Sequence, residues 1–249
     1  MTDAMFRAGL LAAALFALPQ VASAKTDKQT PGAPCVPGGG QGTGNPCNGN
    51  NGNPSPEGNA NKEKVVRDNN PPPFTIMRPS NDRGAYIDQI GNDNTASIVQ
   101  SHNTQYARVA QTGDGNTART GQSGSGAHYA SISQNGDRNG LALDQTGTAT
   151  QVALVSQSGD GNAIRIFQSG DGLSAGVAAT QMGHNNRMAL SQNGSNNQAQ
   201  LTQNGSDNAM TATQNGDANR LIWTQNGSSL SDLSITQNGS QALQVTQSR

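Results

Sequence analysis

The chain of 249 residues has a net charge of −1, with 12% charged, 32% hydrophobic and 3% aromatic residues. Apolar content this low excludes the large hydrophobic core of a conventional enzyme, and it would be typical of disorder unless another interaction orders the chain. The sparse Lys and Arg residues form no basic stripe, so we expect no nucleic-acid partner.

The first 24 residues are typical of a secretory signal. Arg7 precedes an apolar run from Ala8 to Leu18, and the small-residue pattern at 22–24 predicts cleavage before Lys25. The alternative is a membrane anchor, but eleven apolar residues are too few to span a bilayer. We therefore expect residues 1–24 to be a signal peptide and the mature chain to be exported.

Residues 25–83 form a second segment that is rich in Gly, Asn and Pro and has no periodicity, which predicts a disordered arm. Cys35 and Cys47 lie in this arm and are the only cysteines. In an exported chain they could close a small disulfide loop, with unpaired thiols or intermolecular pairing as the alternatives.

From residue 84 onward a glutamine recurs at a fixed short period, which predicts a repeat architecture. Nine of the fourteen intervals are eleven residues. The positions are Gln89, Gln100, Gln111, Gln122, Gln134, Gln145, Gln157, Gln168, Gln181, Gln192, Gln203, Gln214, Gln225, Gln237 and Gln247.

Each repeat joins a strand pattern to a turn pattern. The residues four and two positions before Gln are apolar, except for Thr120, and this period-two alternation predicts a strand with one buried face. Gly follows Gln by two residues in thirteen of fourteen repeats, and Asn often follows by five. We expect Gly to supply positive φ in a tight turn and Asn to tolerate it.

Short strands of this kind are stable only when they stack, so residues 84–249 are predicted to form an all-β, two-sheet β-solenoid of roughly seven 22-residue rungs. Gln is in phase with the apolar positions and therefore points into the interior. Stacked identical amides can satisfy one another as ladders. The predicted ladder amides are Gln89, Gln111, Gln134, Gln157, Gln181, Gln192, Gln203, Gln214, Gln225, Gln237, Asn94, Asn116, Asn139, Asn162, Asn186, Asn197, Asn208 and Asn219. The predicted turn glycines are Gly91, Gly113, Gly136, Gly159, Gly183, Gly194, Gly205, Gly216 and Gly227.

The repeat resembles that of the curlin family. The unit Gln-x-Gly-x-x-Asn-x-apolar-x-apolar-x-Gln is seen most clearly from Gln192 to Gln203, and the resemblance covers roughly residues 85–247. Gln100 departs from it by lacking its Gly, and Gln122, Gln168 and Gln237 lack the Asn. The chain also has more rungs than the family usually has, and its longer arm contains cysteines.

The resemblance implies an extracellular amyloid fibre of the biofilm matrix, used for adhesion and aggregation. It implies export through the periplasm and a dedicated outer-membrane secretion pore, with the chain itself and a nucleator or co-subunit as partners. The most regular repeats lie near the C-terminus, which favours a polymerising subunit over a minor nucleator. The role of the long arm in targeting to a pore stays open.

No capping segment is visible at either end of the repeats, so we expect both ends to act as templates. Charged turn residues either slow premature assembly or are merely solvated. These residues are Asp114, Asp137, Asp160, Asp171, Arg138 and Arg187.

No arrangement of residues predicts catalysis, a metal site or a cofactor. The three histidines, His102, His128 and His184, occupy dissimilar repeat positions and are expected to lie exposed. Two Gly-Asp-Gly-Asn phrases at 113–116 and 159–162 resemble calcium-binding solenoids, whose repeats are shorter and richer in Asp, so turns are favoured.

Two alternatives have a different function. A row of Thr before Gln, as at Thr202 and Thr224, would suit an ice-binding surface, but the position two residues earlier varies and no paired Thr array forms. A cell-surface adhesin could use the same solenoid without polymerising, and concentration-dependent elongation separates the two.

Overall fold

The computed structural model describes residues 62–249, which contain sixteen strands and no helix. The strands are β1 Lys64–Asp68, β2 Gly84–Ile90, β3 Thr95–Gln100, β4 Tyr106–Thr112, β5 Thr117–Ser123, β6 Tyr129–Asn135, β7 Gly140–Thr146, β8 Gln151–Ser158, β9 Ala163–Ser169, β10 Ala175–Met182, β11 Arg187–Asn193, β12 Gln198–Asn204, β13 Ala209–Asn215, β14 Arg220–Asn226, β15 Leu233–Asn238 and β16 Ala242–Ser248. Residues 62–249 include no helix with the length and apolar character needed to cross a membrane.

The strands form two sheets, and the chain alternates between them. The first sheet has nine strands in the order β1-β16-β14-β12-β10-β8-β6-β4-β2, and the second has seven in the order β15-β13-β11-β9-β7-β5-β3. Every pair is parallel except β1 with β16. The predicted β-solenoid of about seven turns is confirmed.

Register is the same at every step, because each Gln of the repeat lies opposite the Gln one turn away. Gln203, for example, lies between Gln181 and Gln225 in the first sheet. A one-residue slip would turn all apolar side chains outward, so the buried face fixes this pairing.

The core lies between the two sheets and is built from the two apolar positions of each repeat. Ala199 and Leu201 of β12 are fully buried, as are Leu221 and Trp223 of β14. Trp223 is the only tryptophan of the chain. Many other interior residues are Ala, so the sheets approach closely and apolar burial per rung is modest.

Backbone hydrogen bonds continue from the strands around the corners. Gly136 N donates to Thr112 O at 3.0 Å, and Gly159 N donates to Asn135 O at 2.9 Å, one turn further along. The turns therefore stack in the same register as the strands.

Residues 62–83 require a correction to the sequence-based prediction, which extended disorder to residue 83 and expected no cap. Residues Lys64–Asp68 form β1, which pairs antiparallel with the last strand, β16. The segment 69–83, hereafter the strap, then leads back to β2 at the opposite end of the stack. The only sequence feature that indicates β1 is the pair Val65 and Val66, which has high strand propensity but is too short to produce a periodic signal.

The predicted signal peptide (1–24) and the proposed pairing of Cys35 with Cys47 lie outside the described residues.

Candidate functional site: interior ladders and the two ends of the stack

Glutamines of the first sheet form one continuous ladder. Each Nε2 donates to the Oε1 of the next glutamine along the stack, with N–O distances of 2.6 to 3.0 Å. The members are Gln89, Gln111, Gln134, Gln157, Gln181, Gln203, Gln225 and Gln247. All donors point toward the C-terminal end, so the ladder is polar.

The second sheet carries a parallel ladder with N–O distances of 2.7 to 2.9 Å. Its members are Gln100, Gln122, Gln145, Gln168, Gln192, Gln214 and Gln237. The site prediction from sequence left out Gln100, Gln122, Gln145, Gln168 and Gln247, although the period of the repeat includes them. The absence of the usual Gly or Asn after some of them does not affect the ladder.

Ladder glutamines other than Gln89 also bond across to the facing side of the solenoid, which the sequence did not indicate. Gln203 Nε2 donates to Arg187 O at 3.0 Å, and Gln225 Nε2 donates to Ala209 O at 3.0 Å, in each case at the start of a strand of the facing sheet. Both N–H groups of the amide are therefore used. The interior amides therefore satisfy one another's hydrogen-bonding groups, and they hold the sheets together where apolar side chains are small.

Six of the predicted asparagines stack at the first corner, where the chain passes from the first sheet to the second. They are Asn94, Asn116, Asn139, Asn162, Asn186 and Asn208. Each Oδ1 accepts a backbone N–H from the same corner one turn further on, from the next asparagine in the first five, as in Asn139 to Asn116 at 2.9 Å, and from Leu230 in Asn208. Each Nδ2 donates to a glycine carbonyl of the following turn, as in Asn139 to Gly159 at 2.7 Å.

The remaining two asparagines lie at the second corner, where the chain returns to the first sheet. Asn219 N donates to Asn197 Oδ1 at 3.0 Å. Gln105, His128 and Gln151 occupy this corner in earlier turns, and all three are fully buried.

His128 corrects the expectation that all three histidines lie exposed. Its Nε2 lies 2.8 Å from Ser123 O, and its Nδ1 is buried without a partner among the described residues. Burial lowers the pKa of His128 below its ordinary value of 6.5, because the charged imidazolium loses hydration there. His102 and His184 are exposed, as expected.

The predicted turn glycines all have positive φ, from 76° at Gly216 to 126° at Gly227. Stacking adds a second constraint in most of them, since a Cβ on Gly183 would overlap the carbonyl oxygen of Gly205. The asparagines do not share this role. Positive φ occurs one residue earlier, as at Asp93 and Arg138, so the asparagine is required for its hydrogen bonds.

Acidic turn residues at the first corner accept backbone hydrogen bonds along the stack. Asp114 N donates to Asp137 Oδ1 at 2.8 Å, and Asp137 N donates to Asp160 Oδ1 at 2.9 Å. At the second corner the backbone N–H and hydroxyl of Thr148 lower the pKa of Asp171. Within residues 62–249 no group of three or more His, Cys, Asp or Glu side chains is placed to hold a metal ion.

The N-terminal end of the stack is an open edge formed by β2 and β3. Ile87 and Gln89 occupy interior positions of the repeat, yet both are exposed because no strand covers them. Ile87 is 46% exposed, against 0% for its register partner Val109. The Oε1 atoms of Gln89 and Gln100 accept no hydrogen bond from the described residues.

The C-terminal end differs, because β1 covers β16 while β15 is left as an edge of the second sheet. The carboxylate of Glu63 ends the glutamine ladder by accepting a hydrogen bond from Gln247 Nε2. It also accepts from Ser231 N at 2.9 Å and from Ser231 Oγ at 2.7 Å. These donors, that of the Ser231 backbone first, lower the pKa of Glu63.

These features define a structural repeat protein: a parallel β-solenoid held by polar amide ladders, with one open and one partly covered end. A family model described as the curlin associated repeat matches residues 91–124 and 183–216. The chain therefore contains curlin associated repeats, and the resemblance drawn from its sequence is confirmed. No curated protein matches the chain. No solved structure matches it either.

Proposed function

We propose that this chain is a secreted structural protein that self-assembles into extracellular, curli-like amyloid fibres, with the solenoid as the repeating unit. The observation that carries this proposal is the polarity of the ladders. Gln247 Nε2 faces the C-terminal end, where the Glu63 carboxylate accepts its hydrogen bond in the free chain, and Gln89 Oε1 at the N-terminal end accepts no hydrogen bond from the described residues. One copy therefore presents the donor that the next copy accepts.

In the second sheet Gln237 lies at the C-terminal end and Gln100 at the N-terminal end, and Gln237 Nε2 donates to Gln241 O at 3.1 Å in the free chain, a bond that docking would exchange for one to Gln100. Docking one copy on the next would continue both glutamine ladders and the backbone pairing at the normal strand spacing of ~4.8 Å. The contact joins two different surfaces by a translation along the stack. A heterologous contact that does not close into a ring produces an open filament.

Apolar exposure supports the same interface. Ile87, at an interior position of β2, is 46% exposed at the N-terminal end, and the outward-facing Ile90 and Val99 of the same edge strands are 69% and 61% exposed. If the β16 and β15 edges of a second copy docked there, the segment Leu243–Val245 of that copy would cover Ile87. The gain would come from burying this surface and from satisfying edge N–H and C=O groups.

A polymerising subunit is the version of this role that we favour over a minor nucleator, because the repeats from Gln181 to Gln225 are the most regular and carry both ladders unbroken. Export through the periplasm and an outer-membrane pore, a nucleator as co-subunit, and service in adhesion and aggregation within a biofilm matrix belong to the same proposal. They rest on the curlin repeats. A non-polymerising adhesin is the competing function.

The test is a seeded assembly time course on purified residues 25–249, followed by fibre X-ray diffraction. The proposal predicts a lag phase that preformed seeds abolish, and reflections near ~4.7 Å and ~10 Å. A chain that stays soluble and β-rich at all concentrations, with or without seeds, would instead support the adhesin.

A matched pair of substitutions tests the docking surface. Ile87→Asp places a charge in the proposed interface, at a side chain that is already half exposed in the free chain, so elongation should stop while the fold persists. Phe167→Asp places the same charge on the outward face of β9, the central strand of the second sheet and away from both ends. Equal inhibition by the two variants would reject end-to-end docking.

A further inference from the structure

We propose that residues 62–68 are a removable cap, and that this cap and the β2 edge of a second copy compete for the same edge of β16. This inference rests on the proposed function, since it assigns a regulator to the same docking face. It concerns a step before docking, namely the opening of the C-terminal end.

The cap strand is held weakly for its length. β1 pairs with β16 from Lys64↔Ser248 to Asp68↔Gln244, yet all five of its residues are exposed. Val65 and Val66 remain 40% and 47% exposed. Little apolar surface is buried, so the antiparallel backbone pairing supplies most of the attraction.

The Glu63 carboxylate lies where the amide of a further glutamine would continue the ladder. Gln247 Nε2 donates to the Glu63 carboxylate, whereas each earlier glutamine donates to the Oε1 of the next one. Glu63 also accepts from Ser231, which precedes β15, and so its carboxylate bridges the ends of both sheets. In a fibre, Gln89 Oε1 of the following copy would replace this carboxylate oxygen.

The strap keeps the cap close to its site. Ile76 N donates to Gln198 Oε1 at 2.8 Å, and the Ile76 side chain packs where Gly176 has no Cβ. Further along, Arg78 Nη1 donates to Ala127 O at 3.2 Å, and its guanidinium lies 5.7 Å from the ring centre of Tyr129. These contacts tether residues 62–68 at high effective concentration, and none of them has to break when β1 leaves β16.

Once the cap opens, a second copy can form more pairing with the C-terminal end than β1 can. It offers strands for both sheets in the parallel register of the stack, whereas β1 covers only the first sheet. β1 cannot serve as the template itself, because its antiparallel direction places Val65 opposite Gln247 and interrupts the ladder. The second sheet would also lack a strand at that level. Docking therefore requires displacement of β1.

Two variants of the full mature chain test the cap in opposite directions. Val65→Pro/Val66→Pro releases it, because one of any two adjacent amides in a strand must face the neighbouring strand and proline removes that N–H. Val66→Cys/Thr246→Cys locks it through a disulfide between register partners, in a background with Cys35→Ser and Cys47→Ser. Both are compared with unchanged protein and with the serine background in seeded elongation.

We expect the released variant to elongate at least about threefold faster, because the apparent rate scales with the fraction of open ends. We expect the oxidised lock to elongate at least about tenfold more slowly than its reduced form, for the same reason. Thr202→Cys/Thr224→Cys crosslinks β12 to β14, which are already paired inside the stack, without touching β1 or β16, and should leave elongation unchanged after oxidation.

The outcomes separate this inference from the proposed function. Unchanged protein that forms fibres, together with a lock and a release that have no effect, would overturn the cap and leave the fibre function intact. Absence of fibres in every variant, including the released one with seeds, would overturn the fibre function itself.

Discussion

Removing a single interior amide is the most direct test of the ladders, and Gln203 is the best position. Its side chain is fully buried near the regular middle of the C-terminal half. Gln203 Nε2 donates to Gln225 Oε1 and Arg187 O, and its Oε1 accepts from Gln181 Nε2 at 2.7 Å. Gln203→Ala thus leaves three buried polar groups without their partner and opens a small cavity.

The magnitude follows from those three groups. A buried polar group that loses its partner costs about 1–3 kcal/mol, less whatever neighbouring groups recover by rearrangement. Since Gln181, Gln225 and Arg187 are all affected, we expect a loss of about 3–5 kcal/mol in the free energy of unfolding, the cavity included. The same Gln→Ala substitution at an exposed glutamine lowers the free energy of unfolding by about 0.5 kcal/mol or less.

Neighbouring members of the ladder should not be additive. Gln203→Ala and Gln225→Ala each remove the bond between the two residues, so the double variant removes that bond only once. We expect its total cost to fall short of the sum of the single costs by about 1–2 kcal/mol. The same double variant should also slow fibre elongation, because the ladder is interrupted next to the docking end.

The assay is denaturant unfolding of the soluble chain, followed by the fluorescence of Trp223, which is buried in the strand next to β16 and unique in the sequence. Gln200→Ala is the matched control, since it changes the same residue type in the same strand, on the outward face. A cost for Gln203→Ala no larger than that of the control, or fully additive single costs, would refute interior ladders.

Three further predictions concern other positions of the solenoid. Thr120 is fully buried with its Oγ1 unpartnered among the described residues, so Thr120→Val should raise the unfolding free energy by about 1 kcal/mol, while Thr213→Val on an outward face should change little. Gly183 has φ of 114° and no room for a Cβ, so Gly183→Ala should cost at least about 2 kcal/mol, against little for Gly140→Ala, whose Cβ would lie 3.6 Å from its nearest neighbour. Equal costs of the two glycine changes in denaturant unfolding would contradict the stacked-turn constraint. Burial lowers the pKa of His128, so the folded chain binds fewer protons than the unfolded chain, and stability should fall as the pH drops from above 6.5 toward 5. His128→Gln should flatten this dependence, and identical pH profiles for the two proteins would contradict it.

The solenoid was predictable because two signals agree. Apolar residues alternate within each repeat, and Gln is in phase with them, so the interior face and the register of parallel pairing follow together. The bond from Gln203 to Arg187 O was not predictable in this way. It depends on how far one sheet is shifted against the other, and that shift is set by the geometry of both corners.

The burial of His128 had a signal that counting forward from each Gln conceals. The residue six positions before a Gln points inward at the corner that precedes the strand. Asn116 precedes Gln122 by six at the first corner, and His128 precedes Gln134 by six at the second. Insertions fall between the turn glycine and this position, so only backward counting keeps the column aligned. The cap left no such signal, because β1 belongs to no repeat and its partner lies far away in sequence.

The polarity of the stack makes one cap sufficient to control growth in both directions. Every junction between copies would join one C-terminal end to one N-terminal end, whichever end of the fibre is growing. At one fibre tip the cap to be displaced belongs to the fibre, and at the other it belongs to the incoming copy. An open β2 edge in the free chain therefore carries little risk of premature assembly, because a capped copy offers it no partner strand in register. Under the proposed cap, control of assembly would depend on the Glu63–Gln247 contact and on the short pairing of β1.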